Sequence, residues 1–392
     1  MKNFVPVLIL LLAAACSSTP TRQLENSDTL RTRVEIAIAR QLLNEIGTEL
    51  PRLKGSMRSR YLEQKTRHFR RSVDLSSLNS ATLLEFHLLE FLDAATRVRW
   101  QGGNYETQVR ALSSIDVTFD DLDSQLLDTL NQIDQTLLKV NNPASMTISG
   151  HMEKVRQSAR YPEDSFTGRQ NYLDDLQQAM QTSYEHYPLR SSYKTQALEL
   201  RGQESGNAPF HYTNSSLVID LNDVRSLPYF ELEGIATFYG YPGRAAIEHL
   251  GTGSLRSLLQ LPGYSFGWAW LMLEKHNVEK PLPAQLYFAK LMAGLALADL
   301  RLHSGIWSPD AAASYLFEQT PYGRDRLNKS LDYIQRRPGF YLAAFAGRLR
   351  FTELQRRCIK SCDLPFLERL VTLGPLPFDL LEERLLAEQI IQ

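Results

Sequence analysis

"GIATFYGYPGRAAIEHLG", residues 234–251, decides how the chain is read. Its apolar residues fall at helical spacing, yet Pro242 and Gly243 stand in the middle, a pair that interrupts a regular helix. Phe238, Tyr239 and Tyr241 precede the break and Arg244 follows it. The expected structure is a helix that turns a corner at Pro242–Gly243, with large side chains packed at the bend.

Outward from the corner the pattern stays helical. "LPYFELEGIATFYG" leads into it, and "AQLYFAKLMAGLALADLRLHSGIW", "PDAAASYLFEQT", "GRDRLNKSLDYIQ" and "GFYLAAFAGRLRFTELQRR" follow it with apolar residues at helical spacing. Residues 284–303 are apolar on nearly every face except for Lys290, Asp299 and Arg301, as suits a helix inside a sizeable domain. Upstream, "RTRVEIAIARQLLNEI", "SATLLEFHLLEFLDAATRVRW" and "DDLDSQLLDTLNQIDQTLLKV" repeat the pattern, with starts marked by Asp28, Ser80 and Asp120 or Asp121. One stretch differs: "NAPFHYTNSSLVIDLNDV" (207–224) alternates and is rich in β-branched and aromatic residues, suggesting short strands. The expectation is a mainly α, multi-helix domain with a minor β element near 207–224. An N-terminal helical part (29–204) and a C-terminal part (205–392) would form one continuous globular unit.

Residues 1–16, "MKNFVPVLILLLAAAC", read as a lipoprotein signal peptide: a positive start at Lys2, an apolar run too short to span a bilayer, small residues, then Cys16. Cys16 would carry the lipid and become the mature N-terminus, joined to the body by a polar tether over 17–28. Ser17 replaces the Asp that retains bacterial lipoproteins at the inner membrane, so an outer-membrane anchor facing the periplasm is expected. The other cysteines, Cys358 and Cys362, are spaced for a disulfide only if the helix breaks between them; two cysteines alone are a weak metal signal.

Lys and Arg number 43 against 44 Asp and Glu, which gives no reason to expect a nucleic-acid partner. The basic run at 57–71 fits the solvated face of a helix. No G-x-S-x-G nucleophile elbow is present, and "GTGSLRS" (251–257) lacks the Lys of a phosphate loop.

The C-terminal half resembles a bacterial family catalogued as domain of unknown function 885, DUF885, whose members look like helical zinc metallopeptidases, often exported as lipoproteins. The resemblance rests on four places. "FYGYPGR" falls on the family's H-E-x-x-P-G-H, keeping Pro242 and Gly243 but placing Phe238 at a metal-binding His, Tyr239 at the catalytic Glu and Arg244 at the second His. "SFGWAW" keeps Gly267 and Trp268 but has Phe266 where an acidic ligand belongs. "ADLRLHSGIW" keeps Asp299, His303 and Trp307, and "RRPGFYLAAFAG" keeps Pro338, Gly339 and Gly347.

The resemblance therefore implies a metallopeptidase-like fold without the residues that would hold the metal. A catalytic zinc needs three His, Asp, Glu or Cys ligands and an open position for water. Phe238 and Phe266 offer no lone pair, Arg244 repels a cation, and a phenol of ordinary pKa about 10 is no substitute for a Glu base. No cofactor is expected. Glu231, Glu233, Glu248, His249 and His211 lie near in sequence, but Glu248 and His249 are adjacent and diverge on a helix. Asp299 and His303, at i and i+4, share a helix face and read either as a buried hydrogen-bonded pair or as a ligand-binding or relocated catalytic site. The aromatic replacements read either as a filled-in former site or as an aromatic cleft, with Tyr239, Arg244, Trp268, Asp299 and His303 as candidate binding residues and Arg244 meeting a carboxylate. The implied roles are peptide binding or scaffolding with an envelope protein, or else hydrolysis around Asp299 and His303.

Overall fold

The structure, a computed structural model, describes residues 20–141, 146–186, 198–203, 210–213, 216–248, 255–275, 282–360 and 362–392. Cys16 and the signal segment lie outside them. The described chain is mainly α with one small sheet, and it divides into two compact units, residues 1–93 and 94–392.

The first unit contains α1 (Pro20–Glu49), α2 (Gly55–Ser72) and the start of α3 (Ser80–Gln101). Leu43, Ile46, Leu62, Phe69 and Phe86 are buried there, with the Phe69 and Phe86 rings stacked 4.7 Å apart. Helix α1 begins at Pro20, so the backbone of 20–28 is helical where polar composition suggested an unpatterned tether starting a helix only at Asp28. Pro at a first helical position and good helix formers such as Arg, Gln, Leu and Glu account for the earlier start.

The second unit continues with α4 (Tyr105–Ser113), α5 (Phe119–Asn141), α6 (Ile148–Gln157) and α7 (Phe166–Glu185), then the sheet β1 (Glu199–Gln203), β2 (Phe210–Thr213) and β3 (Ser216–Asp220). Strand β3 is central, parallel to β1 and antiparallel to β2, with Leu200 opposite Leu217 and Phe210 opposite Ile219. All five residues of β3 are buried, which explains its apolar run. The strand at 199–203 precedes the expected β region; its exposed "ELRGQ" carries no apolar alternation. The sheet straddles the expected 204/205 subdivision, and the compact units divide instead within α3.

The remaining described helices are α8 (Leu232–Tyr239), α9 (Ala245–Glu248), α10 (Pro262–Lys275), α11 (Pro283–His303), α12 (Pro309–Gln319), α13 (Arg324–Arg336), α14 (Phe340–Arg356), α15 (Leu364–Leu373) and α16 (Phe378–Ala387), of which α8, α10, α12, α13 and α14 pack on α11. Helix α11 is buried from Ala284 almost continuously to Leu300 and packs on α5, α8 and α14, as its all-round apolar sequence requires. Its interior Lys290 is compensated by an ion pair with Asp134 of α5. Helices α10 and α14 approach backbone to backbone: a Cβ on Gly347 would lie 1.7 Å from the Gly263 carbonyl oxygen, and one on Gly267 would lie 2.7 Å from the Arg348 nitrogen. Ser308 caps α12 by accepting from the Ala311 N–H at 3.2 Å. Between α14 and α15 the helix breaks, and Cys358 and Cys362 form a disulfide with Cα atoms 5.4 Å apart.

Candidate functional site

Helix α8 ends at Tyr239, and the chain then folds back over its last turn. The Gly243 N–H donates to the Thr237 carbonyl at 3.0 Å and the Arg244 N–H to the Phe238 carbonyl at 2.8 Å. Carbonyls that a helix end leaves unpaired are thereby satisfied. This return is possible only without a side chain at 243, because a Cβ there would stand 2.1 Å from the Phe238 oxygen and 2.4 Å from the Thr237 oxygen. The corner, with a cis Tyr241–Pro242 bond, is then held from outside. Trp268 Nε1–H donates to the Pro242 carbonyl at 3.0 Å, and the Ser183 hydroxyl to the Tyr241 carbonyl at 2.6 Å. Trp268 is fully buried in that role and lines no open cleft.

The side chains of the corner form an aromatic cluster. Phe238, fully buried, meets Tyr239 at 5.1 Å, Phe288 at 5.2 Å and Phe266 at 5.7 Å between ring centroids, and Phe266 continues edge-on to Phe340 at 4.8 Å. The Arg244 guanidinium lies over two rings, 4.4 Å from the centroid of Phe266 and 4.5 Å from that of Tyr212. Burial pushes the Tyr239 phenol up to about 12, with Arg326 and Arg244 opposing the shift, so at neutral pH it is an uncharged group.

These residues do not fit a zinc ion. Phe238, Phe266 and Arg244 supply neither donors nor negative charge, and Tyr239 stays protonated. Nor do neighbours rebuild a shell: among the described residues no three His, Cys, Asp or Glu side chains are grouped to hold a metal. Glu231 is committed elsewhere, wholly buried and paired with Arg326 at 3.4 Å, with burial lifting its carboxyl to about 7 against the pull of Arg326. Glu233 is exposed and His211 half-buried on β2, while His249 and the Glu248 side chain fall outside what is described.

Asp299 and His303 occupy a second place. The Asp299 carboxylate is fully buried and accepts from the Gly339 N–H at 2.9 Å, the Tyr341 N–H at 3.0 Å, the Leu342 N–H at 3.2 Å and the Tyr105 hydroxyl at 3.1 Å. It thus caps the first turn of α14, whose N–H groups have no partner within their own helix. Burial raises its carboxyl to about 6, while the Gly339 and Leu342 donors and His303 pull the other way. His303 Nε2 stands 3.7 Å from Asp299 Oδ1 and 3.3 Å from the Ile334 carbonyl oxygen, and its ring lies 5.0 Å from that of Tyr105. Arg301 makes a two-pronged pair with Asp123 at 2.8 Å and covers Trp307 at 4.9 Å.

The structure therefore brings Phe238, Tyr239, Arg244 and Phe266 together, and Asp299 with His303. The two places meet at the start of α14, where Phe340 touches the aromatic cluster and the next residue donates to Asp299. Sequence reasoning missed the pairing of Glu231 with Arg326 and of Asp299 with the α14 backbone. Neither has a local signal, since the partners lie far apart in the chain.

No match to the chain was found among curated proteins. Among solved structures the chain is similar to a candidate lipoprotein from Colwellia psychrerythraea, at 15% identity and a TM-score of 0.62, covering 98% of this chain and 79% of that one. It is also similar to a candidate lipoprotein of unknown function from Shewanella oneidensis, at 12% identity and a TM-score of 0.54, covering 84% and 77% of the respective chains. At such identities the likeness concerns the fold. The profile of the bacterial proteins of unknown function DUF885 matches residues 11–385, nearly the whole chain, and the protein belongs to that family.

Proposed function

We propose that this DUF885 protein is a lipid-anchored envelope protein that binds without turning over: a pseudopeptidase acting on a peptide or envelope-protein partner as binder or scaffold. The observation that carries the reading is Phe238, buried among Tyr239, Phe266 and Phe288 where a metal ligand of the family would stand. Arg244, stacked on Phe266, adds positive charge at the same place. The signal-like segment ending in Cys16 and the lipoprotein descriptions of the two solved relatives support the anchor. Among the described residues no helix is long and apolar enough to cross a membrane.

Metal analysis of the purified protein, with a peptide-library cleavage screen, tests the loss of turnover. The expected result is substoichiometric zinc and no cleavage; one zinc per chain overturns the reading. Cleavage that disappears in His303→Ala, with folding retained, establishes instead a hydrolase built around Asp299 and His303. For the anchor, palmitate labelling lost in Cys16→Ser and recovery in outer-membrane fractions are expected; unlabelled soluble protein defeats it. Partner capture from detergent-solubilised envelopes then identifies what the protein holds.

A further inference from the structure

Arg160, Tyr161, Asn171, Asp174, Asp175 and Tyr229 line an open surface recess of about 420 Å³ in the second unit, and none of them belongs to the stretch around Pro242–Gly243. Three chain segments converge on it. Asn171, Asp174 and Asp175 stand at i, i+3 and i+4 on α7 and share one helix face. Arg160 and Tyr161 come from the connection between α6 and α7, and Tyr229 opens the turn before α8. The aromatic wall is set in advance: the Tyr229 N–H donates to the Arg160 carbonyl at 3.0 Å, and its ring meets the wholly buried Tyr172 edge-on at 5.5 Å.

The charges on this wall are of both signs and are not spent on each other. Arg160 enters no ion pair among the described residues; its guanidinium lies 5.7 Å from the centroid of Tyr229. Among the described residues Asp174 accepts from the Gln170 side chain at 2.9 Å and enters no ion pair, and Asp175 makes no ion pair either. A metal ion is a poor match, because two carboxylates fall short of a cation cage and no third His, Cys, Asp or Glu is grouped with them. A simple anion would meet two aspartates, and a simple amine would leave the arginine unused.

We propose that this recess binds a small zwitterion of the α-amino acid class, free or as a dipeptide, with its carboxylate on Arg160, its ammonium on Asp174 and Asp175, and its hydrocarbon part against Tyr229 and Tyr161. A planar guanidinium suits a carboxylate, and the size of the recess suits a ligand of a few to a dozen heavy atoms. This site is independent of whether the former motif binds anything.

The test is calorimetric titration of the full-length protein in detergent with the twenty amino acids and the Ala-X dipeptides. The N-acetylated and carboxamide forms of any ligand that binds are titrated alongside. Saturable binding is expected, weakened on the order of tenfold when either terminus is blocked and by a similar factor in Arg160→Ala and in Asp174→Asn/Asp175→Asn. These residues are exposed, so unchanged melting of the variants is expected. No saturable binding at millimolar concentration overturns the proposal. So does binding that survives blocking of both termini, or binding that all the variants leave intact.

Discussion

The corner after α8 and the bed of Asp299 are built from different kinds of residue. At the corner Pro242 and Gly243 shape the backbone, while the side chains around them, Phe238, Tyr239, Arg244 and Phe266, carry no carboxylate or imidazole. At the second place the central residue, Asp299, is an ionisable carboxylate beside His303, which invites a catalytic reading. Its contacts point elsewhere: three backbone N–H groups at the start of α14 and one tyrosine hydroxyl. Gly243 and Asp299 thus share a role, since each satisfies or admits main-chain groups that would otherwise be stranded in the interior. A residue's chemical type alone does not say that it catalyses when the backbone depends on it.

This equivalence is open to attack. The largest effect is expected at the corner: Gly243→Ala forces a methyl against two carbonyl oxygens and should cost about 4 kcal/mol or more in chemical denaturation. A variant as stable as the parent would mean that the return over α8 is not pinned at this residue. Next, Asp299→Ala should lose about 3 kcal/mol, because it strands four buried donors, and Asp299→Asn should lose less, because one oxygen remains. Equal losses in the two would point to charge rather than capping.

A third effect concerns pH. The Asp299 carboxyl is raised to about 6 from 3.8, so the folded state holds its proton more tightly than the unfolded chain does. Between those values the native state binds more protons, and stability should fall as pH rises. The groups facing it are Tyr105 from α4, His303 on its own helix and the uncharged start of α14. Parent minus Asp299→Asn stability should therefore decline across this window by on the order of 2 kcal/mol, and a flat or rising difference would show that the caps outweigh burial. The smallest effect is expected for Arg244→Lys, about 1 kcal/mol from lost stacking on Tyr212 and Phe266, with no gain of zinc.

Much of the architecture was legible in the residues. Apolar spacing marked α3, α5, α11 and α14, and the all-round apolar run at 284–303 marked the central helix. β-branched alternation found β2 and β3, whereas β1 escaped because its exposed residues carry no alternation. The i, i+4 spacing of Asp299 and His303 was legible too, but it suggested a pair, and the structure commits the carboxylate mainly to a helix start some 40 residues later.

By itself, then, the sequence determined the helical class, the central helix and the corner at Pro242–Gly243. Each of these depends on residue type and short-range periodicity. Only the tertiary structure decided that Phe238 lies in an aromatic cluster, that Asp299 caps α14, that Glu231 pairs with Arg326, and that Arg160, Asp174 and Asp175 line one recess. These depend on which distant segments meet, and a buried polar group takes whichever donor or acceptor the packing brings to it.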